Sequence, residues 1–228
     1  MAAFIFDIDG TIIDSMPWHG RSWEAFLVRH GKRYDGEDFL RRTAGRTGME
    51  LMREIFGPLD EAACRAMVDE KEALYREMFA PMFREIAGFG AFMKRARSQG
   101  IRMACATAGD AKNIAFALRG LGMPDAFDAT TCADEVAHGK PEPDLFVLAA
   151  RRMNVEPAEC IVFEDARAGI EAARRAGMKA IAITSGDSAA MLDGEHVLAA
   201  MPDYAEANPA AIVLLAGLEP ARQAAALR

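Results

Sequence analysis

The sequence predicts an α/β fold: a parallel sheet with helices on both faces and a block of helices inserted after the first strand. Three observations carry this. A short apolar run, Phe4-Ile5-Phe6, stops at an acidic turn, Asp7-Ile8-Asp9-Gly10. Apolar residues then recur at helical spacings through a long block, and beyond Gly88 short apolar runs alternate with helical patterns.

Taken in order, the first run is rich in Phe and Ile and reads as a strand buried on both faces. From Pro17 onward Trp18, Trp23, Phe26-Leu27, Leu51-Met52, Ile55-Phe56, Met67-Val68, Leu74-Tyr75 and Met78-Phe79 give helices, and Pro81 and Gly88 close the block. Next come an expected helix over 89–98, strand 101–107, helix 111–121, strand 129–131, helix 143–153, strand 160–164, helix 168–176 and strand 179–183. The Ala- and Leu-rich stretch 209–228 is expected to pack on the core as a helix interrupted by Gly217 and Pro220. In a parallel sheet of this kind, ligands bind beyond the C-terminal ends of the strands.

A chain of 228 residues accommodates one large domain or a core with a smaller insert, and its 51% apolar content supplies a core. The formal net charge of −7 argues against nucleic acid or an anionic membrane as the main partner, because neither would be steered to this surface. Cys64, Cys105, Cys132 and Cys160 are far apart and form no CxxC pair, so neither zinc nor a redox motif is indicated. Cys105 and Cys160 fall in expected strands and read as small core residues. The first strand follows the N-terminus without a basic or long apolar leader, so the expectation is a cytoplasmic protein, a monomer or weak homodimer.

Residues two apart in a strand point to the same side, so Asp7 and Asp9 converge while Gly10 lets backbone approach a ligand. Paired carboxylates repel unless a cation or a shared proton relieves them. The economical reading is a magnesium site in which one carboxylate is a nucleophile and the other a general acid/base.

Asp7-Ile8-Asp9-Gly10-Thr11 resembles the DxDGT signature of the haloacid dehalogenase-like phosphohydrolases. Three later stretches resemble that family's other motifs in the expected order: Thr107 after Met103-Ala104-Cys105-Ala106, Lys140 in Gly139-Lys140-Pro141-Glu142-Pro143-Asp144, and Phe163-Glu164-Asp165 followed by Gly169 and Ala172-Ala173. The resemblance spans almost the whole chain. It implies a Rossmann-like core, residues 1–15 and 86–228, and a helical cap, residues 16–85, that closes over the site and favours a small phosphorylated metabolite. It further implies that Asp7 forms an aspartyl-phosphate, with Asp9 protonating the leaving oxygen and then deprotonating water. Magnesium would be held by Asp7, the Asp9 carbonyl and Asp165, with Glu164 acting through a water. Lys140 would bridge Asp7 and the phosphate, and Thr107 with the amides from Ala108 onward would cradle it. Gly10 and Thr11 would add an amide and a hydroxyl.

In the insert, His19 lies at the distance from DxD where mutases of this family couple cap closure to catalysis, and Ala44-Gly45-Arg46-Thr47-Gly48 resembles the cap loop that enters the site. Arg46 is placed to grip a substrate oxyanion, with Lys71 behind it in rank. β-Phosphoglucomutases carry a lysine before that glycine and an arginine further on, where this chain has Ala44 and Gly48. A phosphatase of small phosphorylated metabolites, sugar phosphates above all, is therefore favoured over a β-phosphoglucomutase-like phosphomutase. Dehalogenation fits Asp9, Lys140 and Asp165 poorly, and a non-catalytic binding protein on this fold would be expected to have lost one of the two aspartates.

Overall fold

In the computed structural model, which describes residues 2–219, strand β1 (Ala3–Phe6) lies inside a six-stranded parallel sheet. Four helices follow it: α1 (Met16–Arg29), α2 (Glu37–Thr43), α3 (Gly48–Phe56) and α4 (Glu61–Phe79). The chain then alternates through α5 (Phe89–Ser98), β2 (Arg102–Ala106), α6 (Ala111–Gly120), β3 (Ala129–Thr131), α7 (Asp144–Met153), β4 (Cys160–Glu164), α8 (Arg167–Arg175) and β5 (Lys179–Ile183). It ends with β6 (Val197–Met201) and α9 (Pro209–Leu215).

The strand order is β3-β2-β1-β4-β5-β6. The chain moves outward from β1 to β3 and then returns to the other side of β1, so the topological switch point falls at β1, where such sheets bind ligands. Register sets what meets there. Phe6 is paired with Cys105 on one side and Phe163 on the other. Asp7, Thr107 and the Glu164-Asp165 pair therefore emerge at neighbouring levels on one edge.

Alternation along β1 divides the core. Phe4 and Phe6 face a cluster with Phe89, Phe92, Ile114 and Val213, while Ala3 and Ile5 face Leu145, Phe146, Ile170 and Ala173. Phe6 stacks on Phe163 at 4.6 Å between centroids. Burying one such ring stabilises the fold by about 1.5–3 kcal/mol, which fixes β1 against β4 next to the site.

The inserted helices have a third apolar cluster that includes Trp23, Phe26, Leu51, Met52, Cys64 and Leu74. Thr47 and Glu50 cap α3 reciprocally, and Asp60 caps α4 by accepting from the Ala63 amide. The two chain crossings into and out of this block run side by side. Ile86 N–H donates to the Ile12 carbonyl and Asp14 N–H to the Arg84 carbonyl, at 3.0 and 3.1 Å.

β6 was not expected from the sequence. It lies at the sheet edge and its residues are only partly buried, Ala199 and Ala200 being exposed, so it lacks the buried apolar run that marks the other strands. Of the expected helix over 209–228, α9 covers the first part, and residues 220–228 lie outside the described residues. All four cysteines are free and buried. No helix among the described residues is long and apolar enough to cross a membrane.

Candidate active site

Asp7 leaves the end of β1 with its carboxylate buried, and Lys140 Nζ donates to its Oδ1 at 2.5 Å. The same ammonium reaches Glu164 Oε2 at 3.4 Å from the end of β4. Asp165 accepts from the Thr11 hydroxyl at 3.2 Å. Oxygens of Asp7, Glu164 and Asp165 all lie within 4.8 Å of one another. Three buried carboxylates thus face a single ammonium. Burial, and then the charge of Asp7, push Glu164 and Asp165 well above the usual carboxylate range, and burial likewise raises Asp7 against the pull of Lys140. Burial opposes the charge on Lys140, but Asp7 and Glu164 outweigh it and raise its pKa. A hard, all-oxygen donor set with uncompensated negative charge fits a divalent cation.

Two glycines make room for these carboxylates. Gly10 has φ +79°, and a Cβ there would stand 2.1 Å from Asp165 Oδ2. A Cβ on Gly169, in the first turn of α8, would stand 1.9 Å from Glu164 Oε1. Gly10 and Thr11 were expected to serve the substrate, but the Gly10 amide donates to the Ile13 carbonyl and the Thr11 hydroxyl to Asp165. Both thereby support the acidic cluster.

Asp9 stands apart from that cluster. Its Oδ1 accepts from the Ser15 hydroxyl at 2.7 Å and the Tyr75 hydroxyl at 2.8 Å, and His19 Nε2 lies 3.1 Å away without hydrogen-bond alignment. Burial alone would raise Asp9, yet His19 and these donors hold it well below the usual range. Lys71 Nζ lies 2.8 Å from His19 Nδ1. An ammonium can only donate, so Nδ1 is the acceptor and the imidazole proton sits on Nε2, facing Asp9.

Thr107 is buried at the end of β2, and its Oγ1 accepts from the Gly109 amide at 3.0 Å, which leaves the hydroxyl proton free to donate. Thr107 and Ala108 line one cavity of about 100 Å³ with Asp7, Asp9, Glu164 and Asp165. His19, Arg46 and Lys71 line its opposite wall. The α2–α3 loop closes against the core: a Cβ on Gly45 would meet Lys140 Cδ at 3.5 Å. Arg46 does not point a free charge at the cavity, since its guanidinium pairs with Glu54 at 2.7 Å.

Residues 1–177 match the model of the haloacid dehalogenase-like hydrolase family. The chain belongs to this family. The hydrolase is 36% identical over 182 residues to the fructose-1-phosphate phosphatase YqaB of Escherichia coli, covering 79% of this chain and 95% of that one. It is 30% identical over 194 residues to the β-phosphoglucomutase of Bacillus subtilis, covering 82% and 84%. Its fold matches the crystal structure of a β-phosphoglucomutase from Clostridium difficile with a TM-score of 0.83 at 26% identity, covering 95% and 98%.

Sequence reasoning ranked Lys71 low and missed Ser15, Glu72, Tyr75, Arg76 and Asn113. In the hydrolase, Glu72 accepts from Lys71 at 2.8 Å and from Asn113 Nδ2 at 2.7 Å, and Arg76 donates to Asn113 Oδ1 at 2.6 Å. One signal was available. Lys71 and Glu72 interrupt the apolar stripe of α4, between Cys64 and Leu74-Tyr75, where a solvated pair would be expected on the opposite face.

Proposed function

We propose that the hydrolase is a magnesium-dependent phosphatase of small phosphorylated metabolites, sugar phosphates above all, acting through an aspartyl-phosphate on Asp7. The observation that carries this is the division of labour between two aspartates: Asp7 sits among Lys140, Glu164 and Asp165, while Asp9 faces away toward Ser15, Tyr75 and His19. An Asp7 oxygen attacks phosphorus and the bond to the leaving oxygen breaks; Asp9, which His19, Ser15 and Tyr75 hold ionised here, takes up a proton from solvent once its contacts with the inserted helices part and passes it to that oxygen. Asp9 then takes a proton from water, which attacks the aspartyl-phosphate and releases inorganic phosphate. Lys140 and the Thr107 hydroxyl offset charge on the transferring group. Asp7, Asp165 and the Asp9 carbonyl would hold magnesium, with Glu164 behind them, and the ion would supply further neutralisation of phosphate charge.

Residues 16–85 act as the cap over a core of residues 1–15 and 86–228. The cavity lies between them, and substrate entry and product release are expected to accompany movement of the cap. The relatives support the substrate class, one being named a fructose-1-phosphate phosphatase. A screen of phosphorylated metabolites with magnesium is expected to release phosphate from several sugar phosphates, and to release none in excess chelator or with Asp7→Asn. Substantial turnover by purified Asp7→Asn would sink the proposed nucleophile.

A further inference from the structure

The cap wall of the cavity holds its cations already neutralised. Lys71 is buried to 2% exposure and spends two of its three protons on Glu72 Oε1 and His19 Nδ1, both at 2.8 Å. Its ammonium also lies 5.0 Å from the centre of the Trp23 ring. Glu72 is fixed in turn. Its second oxygen accepts from Asn113 Nδ2 at 2.7 Å, and because Arg76 donates to the Asn113 oxygen, the amide nitrogen can only face Glu72. Glu72 thus bridges α4 and α6 and stays ionised, the charge of Lys71 and the hydrogen bonds from Lys71 and Asn113 outweighing the opposing effect of burial. It lines the cavity with Lys71, as do the apolar side chains of Trp23, Leu40 and Leu51.

We propose that Glu72 selects monophosphates whose remaining polar groups are neutral hydroxyls, by placing a buried negative charge on the wall that a second phosphate would have to face. The proposal rests on the phosphatase reading above and specifies its substrate further. An ionised carboxylate has about four acceptor positions, so Glu72 retains capacity for substrate hydroxyls after serving Lys71 and Asn113. The remaining Lys71 proton can be donated to the same hydroxyl, which both gives and takes. A second phosphate meets the opposite situation: it would sit against a carboxylate, or take Lys71 away from a Glu72 that Asn113 prevents from turning aside. Rejecting a competitor by such a repulsive group gives specificity that added attraction alone does not.

The test compares fructose 1-phosphate with fructose 1,6-bisphosphate. Wild-type enzyme is expected to favour the monophosphate by at least about tenfold in kcat/KM, and Glu72→Gln, which keeps the shape but removes the charge, to shrink that ratio about tenfold. Binding of both sugars to Asp7→Asn protein, followed by tryptophan fluorescence, should show the same preference without turnover. Equal affinity there overturns the proposal even where Glu72→Gln does not fold, and so does an unchanged ratio in folded Glu72→Gln. Absence of phosphate release from either sugar, with the binding preference intact, counts against the phosphatase reading alone; failure of both to bind overturns both.

Discussion

Among the described residues Lys140 is the single cation facing three buried carboxylates, which makes its role electrostatic before it is chemical. Its complete burial ties it to folding as well, because removing one partner leaves unpaired buried charge. Lys140→Met should therefore lower the stability of the metal-free protein by about 3–5 kcal/mol in denaturant unfolding, besides abolishing turnover. The cluster also predicts a pH dependence. Asp7, Glu164 and Asp165 have raised native pKa values, so above the ordinary carboxylate range the native state keeps protons that the unfolded chain has lost. Stability then falls as pH rises through that window. A divalent cation binds the deprotonated form, so the rise in Tm on adding magnesium should be larger near about pH 8 than near about pH 5. An equal rise at both values would argue that these carboxylates do not share the ion.

Among the elements, α8 offers the sharpest test of how the site shapes a helix. Alanine is better than glycine inside a helix by about 1 kcal/mol, so Gly169→Ala ought to stabilise a helix that only packs. Here the new methyl would overlap Glu164, a side chain that is 1% exposed and tied to Lys140. The expected outcome is a loss of about 1–3 kcal/mol together with weaker magnesium binding, measured by thermal unfolding with and without the ion. A stabilised Gly169→Ala protein would place Glu164 elsewhere. Helix α4 shows the converse: it carries Lys71 and Glu72 into the cavity and Tyr75 to Asp9, and although Lys71 and Glu72 break its apolar stripe, the helix alone does not announce which groups they meet. Strands β1, β2, β4 and β5 were legible because burial on both faces demands apolar runs, whereas β6, at the exposed edge, is under no such demand.

For the molecule as a whole, the proposed aspartyl-phosphate raises the question of which acceptor takes its phosphoryl group. A mutase must keep water out while a second phosphorylated group rests in the cap. Here the two mutase-like basic positions are Ala44 and Gly48, Arg46 is engaged with Glu54, and Lys71 with Glu72. The contact of His19 with Lys71 and Asp9 is the feature that favours the mutase reading. Water is expected to win: inorganic phosphate should appear stoichiometrically from hexose phosphates, with little conversion of β-glucose 1-phosphate to glucose 6-phosphate even with a bisphosphate activator. Isomer formation outrunning phosphate release in that assay would make the enzyme a mutase.

The sequence alone determined the parallel α/β architecture and the helical block after β1, and through its resemblance to the family it nominated Asp7, Asp9, Thr107, Lys140, Glu164 and Asp165 as site residues. Each of these residues sits at or beside the end of a buried apolar run or in a Gly/Pro-marked loop, and such local signals survive without coordinates. Only the tertiary structure decided the partners. Strand order and register brought the ends of β1, β2 and β4 together, turned the Thr11 hydroxyl toward Asp165, and closed Arg46 on Glu54. It also joined Lys71 and Glu72 of α4 to His19 of α1 and Asn113 of α6. Those pairings span separations of up to 154 residues, and they depend on how inserted helices pack over the sheet, which no periodicity along the chain records.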